Sequence, residues 1–67
     1  MRTRLRNLRE DNDYSQKQIA EMLYIDQSTY SRYENGLLDI PLSILIKLSN
    51  IYNVSIDYLI DKDKINI

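Results

Sequence analysis

Apolar residues recur along this chain at spacings of three and four, and no run alternates strictly for long enough to make a strand. An all-α fold follows. Leu5, Leu8 and Asn12 share a face over Thr3 to Asp11, with Met1 and Arg9 at its edges, which predicts a first helix. A second is predicted over Gln16 to Leu23, turning Ile19, Ala20 and Leu23 inward. A third runs from Gln27 to Asn35, with Tyr30, Tyr33 and Glu34 on one side and Ser28, Ser31, Arg32 and Asn35 on the other. The fourth spans Pro41 to Tyr52 with an inward stripe of Leu45, Leu48 and Tyr52, and a brief fifth covers Ile56 to Ile60.

The helix starts are marked chemically. Ser15 followed three residues later by Gln18 is a capping box, and Tyr14 against Ile19 is the hydrophobic staple that accompanies one. Asp26 repeats the device, with Ile25 against Tyr30, and Val54, Ser55 and Leu59 supply a third instance. Gly36 suits the residue just beyond a helix end, and Pro41 suits a first helical turn. Between Leu23 and Gln27 stand only Tyr24, Ile25 and Asp26, a tight connection that lacks the usual glycine. Ala20 is small where the second and third helices would cross.

Sixty-seven residues make one small domain, residues 1–67, in which 61–67 is either a frayed tail or a segment that pairs with a partner. With no cysteine and no histidine, disulfides and the usual zinc sites are excluded. No metal site, cofactor or small-molecule ligand is expected. Nor is catalysis, because Asp57 and Asp61 have no nucleophile or histidine beside them. No apolar run reaches the ~18 to 20 residues of a membrane span and no signal-peptide pattern opens the chain. A soluble cytoplasmic protein is expected.

The net charge is −1, against the basic balance expected of a nucleic-acid binder. Its distribution is uneven, however. Arg2, Arg4, Arg6 and Arg9 crowd the N-terminus, Lys17 and Arg32 fall in the central pair of helices, and Asp57, Asp61 and Asp63 lie near the C-terminus. The third helix carries short polar side chains and one arginine where a surface helix usually carries long charged ones. Such a face is suited to being laid against another surface.

Four segments carry a resemblance: LRNLRE in the first helix, YSQKQIAEML opening the second, STYSRYENG through the third, and LSNIYNVSIDYLI at the end. In this order and spacing the chain resembles the Cro/repressor-type, or Xre-like, helix-turn-helix family over about Arg4 to Ile60. The resemblance implies a five-helix, lambda-repressor-like DNA-binding domain with the helix-turn-helix at helices 2 and 3. It implies a bacterial or phage-type regulator that binds double-stranded DNA as a homodimer, with repression the expected outcome.

By the same resemblance Gln27, Ser28 and Arg32 fall on base-reading positions. The chemistry suits them, since Gln can pair with adenine, Arg with guanine and Ser with several bases. Gln16 matches a phosphate-holding glutamine at a helix N-terminus, and Asn35 a phosphate-contacting position. Ser15, Lys17, Thr29 and Ser31 are expected to contact phosphate or support residues that do. Arg9 and Glu34 match an ion pair tying helix 1 to helix 3, with Arg9 also placed to face a phosphate. The loop after Gly36 departs from the family, reading Leu37, Leu38, Asp39, Ile40 with no basic residue. Leu37, Leu38, Leu42, Ile46, Ile56 and Ile60 exceed what one small core holds, and Leu37, Leu38, Ile56 and Ile60 are the expected dimer interface. The alternative is a protein-interaction module of the same fold, antitoxin-like or a scaffold, with weak or no DNA binding.

Overall fold

Four helix ends in this protein close in one way: the chain turns through a left-handed residue, and the next N–H reaches back to the last turn. The computed structural model describes residues 3–60 and contains five helices, α1 (Leu5–Asp11), α2 (Gln16–Leu23), α3 (Gln27–Glu34), α4 (Leu42–Tyr52) and α5 (Ile56–Leu59). The left-handed residues are Asp13 (φ 59°), Tyr24 (59°), Gly36 (73°) and Asn53 (55°). After α3, Leu37 N–H donates to Arg32 O at 2.9 Å and Gly36 N–H to Tyr33 O at 3.2 Å, the two bonds of a Schellman motif. The same pair closes α2, from Ile25 N–H to Ala20 O at 3.0 Å and from Tyr24 N–H to Glu21 O at 3.1 Å. A tyrosine therefore stands where glycine is usual in the α2–α3 turn. The motif closes regardless.

The N-terminal caps fall where local chemistry places them. Ser15 and Gln18 exchange bonds of 2.8 and 3.0 Å in a complete capping box. Asp26 accepts from Thr29 N–H at 3.1 Å and Ser55 from Tyr58 N–H at 3.0 Å.

Other boundaries shift by one or two residues. Thr3 and Arg4 lie outside α1, because Thr3 Oγ1 accepts the Leu5 N–H at 3.3 Å and the Arg4 N–H donates to Leu59 O at 2.8 Å. Those two residues join α1 to α5 instead of extending a helix. Asn35 caps α3 and Ile60 caps α5. Pro41 caps α4 in an extended conformation (ψ 150°), its carbonyl accepting from Ile44 and Leu45, each at 3.0 Å.

The core is built from Leu5 of α1, Ile19, Ala20 and Leu23 of α2, Tyr30 and Tyr33 of α3, Leu45 and Leu48 of α4 and Leu59 of α5. Ile40 and Ile44, absent from the expected stripes, are buried with them. Ile40 anchors the α3–α4 loop in the core just before Pro41 fixes the start of α4. Asn12 turns outward, contrary to its expected place on the inner face, and donates to Leu8 O at 2.8 Å. The apolar surplus is smaller than expected, because Ile56 and Ile60 are half-buried against the core. Leu37, Leu38, Leu42 and Ile46 are exposed. Met1, Arg2 and the 61–67 tail lie outside the described residues.

Candidate nucleic-acid interface

The packing of α3 decides which of its side chains are free. Tyr30 and Tyr33, three residues apart, are buried, so the opposite face of an eight-residue helix must point out. Gln27, Ser28 and Arg32 are exposed, Thr29 and Ser31 are half-buried, and Asn35 is exposed at the helix end. Ser31 Oγ accepts from Asn35 Nδ2 at 3.4 Å. Ser15 and Lys17 are exposed at the start of α2, and the half-buried Gln16 lies between them.

At the N-terminus of α3 the Asp26 carboxylate accepts three donors. Oδ2 takes the Thr29 N–H and the Ser28 hydroxyl, and Oδ1 takes the Thr29 hydroxyl at 3.0 Å. These bonds, the Ser28 hydroxyl's foremost, hold the Asp26 carboxyl well below its usual range, at about 2. It is fully ionised at neutral pH. The sequence signal for the cap was clear; its consequence for Ser28 was not.

At the other end Glu34 has a side chain with 0% exposure. Arg9 Nε donates to Oε2 at 2.6 Å and Arg9 Nη2 to Oε1 at 3.2 Å, while Gln16 Nε2 donates to Oε1 at 3.1 Å. Arg6 Nε, on a mostly exposed side chain, stands 3.7 Å from Oε1. Burial alone would raise the Glu34 carboxyl. The Arg9 hydrogen bond, with the Tyr30 hydroxyl dipole and the Gln16 amide, outweighs it and holds the group below its ordinary value.

The network ties α1, α2 and α3 together, and it commits two residues assigned to phosphate. Arg9 is 12% exposed and spends its third nitrogen on Tyr14 O at 3.0 Å, so its guanidinium is turned into the protein. One hydrogen of the Gln16 amide is likewise used on Glu34. The Tyr30 and Tyr52 hydroxyls are buried near this carboxylate and make no hydrogen bond of good geometry among the described residues.

The sequence reading missed how the N-terminal arginines are used. Arg4 Nη1 donates to Tyr58 O at 2.6 Å, and its guanidinium carbon lies 4.2 Å above the Tyr58 ring. It joins the two ends of the fold. The partners stand 54 positions apart, so no local spacing signals it.

Two helices of eight residues, joined through a left-handed turn and packed with Ala20 buried, with the outer face of the second left open, form a helix-turn-helix. A family model described as helix-turn-helix matches residues 5–59. The chain belongs to the helix-turn-helix family. It is 44% identical over 63 residues to the HTH-type transcriptional regulator ImmR of Bacillus subtilis, covering 94% of this chain and 50% of that protein. It is 42% identical over 57 residues to the SPbeta prophage-derived regulator YonR of the same species, covering 85% of the chain and 53% of that protein. To the cryptic phage CTXphi transcriptional repressor RstR of Vibrio cholerae it is 31% identical over 65 residues, covering 97% and 59%. The helix-turn-helix chain thus spans about half the length of these relatives. No solved structure gives a significant match. No helix among the described residues is long and apolar enough to cross a membrane.

Proposed function

We propose that this helix-turn-helix unit binds double-stranded DNA in the cytoplasm, setting α3 into the major groove, and that it represses transcription as a homodimer. One observation carries the proposal. The side chains of α3 that are exposed along its outer face are Gln27, Ser28 and Arg32, a set that can donate to and accept from base edges. The similarity to proteins named as transcriptional regulators, one of them a phage repressor, supports the same conclusion. Ser15, Lys17, Thr29, Ser31 and Asn35 flank that set and are assigned to phosphate or to supporting it. The free hydrogen of the Gln16 amide has the same use.

In a two-fold dimer the helices would enter half-sites about 10 to 10.5 base pairs apart. Leu37 and Leu38, exposed in the α3–α4 loop, are assigned to the contact with a second copy. Ile56 and Ile60, already half-buried, would contribute only their outer edges. A fluorescence titration against random duplex DNA over a range of salt, followed by selection of sites from randomised duplex, tests the proposal. Neutralisation of ~6 phosphates by a dimer gives a log K versus log[salt] slope near −5.

A second reading has its own support in Leu37 and Leu42, which are 71% and 64% exposed with no basic residue from Leu37 to Ile40. Here the unit is a protein-interaction module. Absence of DNA binding below ~100 μM at low salt, weaker than ordinary non-specific binders, would favour it.

A further inference from the structure

We infer that Asp26 is a specificity-determining residue: by holding the Ser28 hydroxyl hydrogen, it makes Ser28 an acceptor that prefers a base offering an exocyclic amine. The inference rests on the base-reading role proposed for α3. A free serine hydroxyl can rotate to donate or accept, which is why serine alone discriminates poorly among bases. Here it is not free. Ser28 Oγ donates to Asp26 Oδ2, and Thr29 Oγ1 donates to Asp26 Oδ1 at 3.0 Å. Both hydroxyls at the front of the recognition helix therefore spend their hydrogens inward. The exposed Ser28 keeps only lone pairs to offer outward.

In the major groove those lone pairs match the N6 amine of adenine or the N4 amine of cytosine. They meet repulsion from guanine O6 or thymine O4. Asp26 itself, exposed and ionised, reinforces the bias by placing negative charge beside the same contact. The Asp26 cap thus sets the polarity of its neighbour as well as starting the helix.

The test compares the full chain with Ser28→Ala and Asp26→Gly on sites recovered from randomised duplex. Glycine is well tolerated at a helix N-cap, so D26G keeps α3. Circular dichroism checks that it does. Ser28→Ala locates the contacted base pair as the one position where preference disappears. There, deleting the exocyclic amine, with purine for adenine or pyrimidin-2-one for cytosine, should weaken wild-type binding about 3- to 10-fold, the worth of one hydrogen bond. The same deletion should leave S28A unchanged.

The transition that swaps amine for carbonyl should cost the wild type at least as much. In D26G that penalty should fall below about 2-fold, because the freed hydroxyl can turn to donate. Ratios between sites cancel the general gain in affinity from removing a negative charge. A harmless amine deletion, or a transition penalty unchanged in D26G, overturns the inference. So does an S28A variant that keeps every preference while Gln27→Ala or Arg32→Ala loses one. If none of the three alanine variants alters any preference, the base-reading role itself falls.

Discussion

Removing the Glu34 carboxylate should be strongly destabilising. Its side chain is fully buried and takes two hydrogen bonds from Arg9 and one from Gln16. In Glu34→Ala the Arg9 guanidinium, only 12% exposed, would keep the Tyr14 carbonyl as its sole acceptor among these contacts. Breaking a buried ion pair from one side typically costs about 3 to 5 kcal/mol, because a desolvated charge is left behind. A domain of 67 residues has about 3 to 10 kcal/mol in all at 0.05 to 0.15 kcal/mol per residue. E34A should therefore lose about a third or more of the total, and at the lower end of that range it should be unfolded.

The paired variant Arg9→Met/Glu34→Leu removes both charges at similar volume and should recover most of the loss, since apolar replacements of buried pairs are often neutral or stabilising. Arg6→Ala should cost under ~1 kcal/mol, its guanidinium being mostly in water. Urea unfolding followed by far-ultraviolet circular dichroism measures these three variants together with the singles Arg9→Met and Glu34→Leu, whose double-mutant cycle gives the coupling. A Glu34→Ala loss below ~1 kcal/mol, or a double variant as unstable as the two singles summed, would refute the reasoning.

Stability should also report the titrating groups. The Glu34 carboxyl is depressed in the fold, so its contribution is complete above its ordinary value of 4.5 and is lost as pH falls through the lower folded value. Acid unfolding should begin below that point and should be blunted in Arg9→Met/Glu34→Leu. At the other extreme, burial first and then the Glu34 charge push the Tyr52 phenol from 10.0 up to about 12. Its contribution is complete below pH 10 and is lost as pH rises toward 12; Tyr52→Phe should remove that loss and, by deleting an unpaired buried hydroxyl, leave neutral-pH stability equal or higher by up to ~1 kcal/mol.

Tyr24 is left-handed and 88% exposed. Tyr24→Gly should relieve ~1 to 2 kcal/mol of backbone cost against ~0.4 to 1 kcal/mol of added unfolded-chain entropy. A net gain is expected in thermal melts, whereas Tyr24→Ala, which keeps its Cβ, should show none; equal melts for the two would count against it. On DNA, Gln27→Ala or Arg32→Ala should cost ~1 to 3 kcal/mol on the preferred site and relax discrimination there. Gln16→Ala should instead weaken all sequences alike in the same titrations.

The sequence makes the helix starts plain and their ends obscure, for a physical reason. A cap is a bond between residues three apart, so Ser15 with Gln18, Asp26 with Thr29 and Ser55 with Tyr58 can be found by inspection. A helix end needs a left-handed residue; Gly36 is the type made for it, Asp13 and Asn53 are types that tolerate it, and Tyr24 gives no signal at all. Asp13 and Tyr24 are held there by a pair of Schellman bonds each, and Asn53 by the Val54 N–H bond to Ser49 O. Long-range polar contacts were legible only through family resemblance, which supplied Arg9 with Glu34 across 25 residues. It did not supply Gln16 with Glu34 or Arg4 with Tyr58. The apolar surplus was overestimated because α5, short as it is, folds Ile56 and Ile60 back onto the core. Ile40 was hidden because a loop residue carries no period.

These contacts also ease the conflict between an acidic chain and the proposal that α3 faces DNA. α3 with its N-cap holds one base, Arg32, and two acids, Asp26 and Glu34, a formal −1 that ought to repel phosphate. Glu34 does not act as a free charge, since Arg9 neutralises it inside the fold and Arg6 stands beside it. Charge that DNA would meet on α3 is therefore Arg32 against Asp26, near balance, with Lys17 exposed on the adjoining helix. Net charge summed over a chain misjudges an interface whenever buried pairs and distant acids enter the sum. On the base-reading role proposed for α3, the acid left exposed there is Asp26, and its expected effect is on selection among bases.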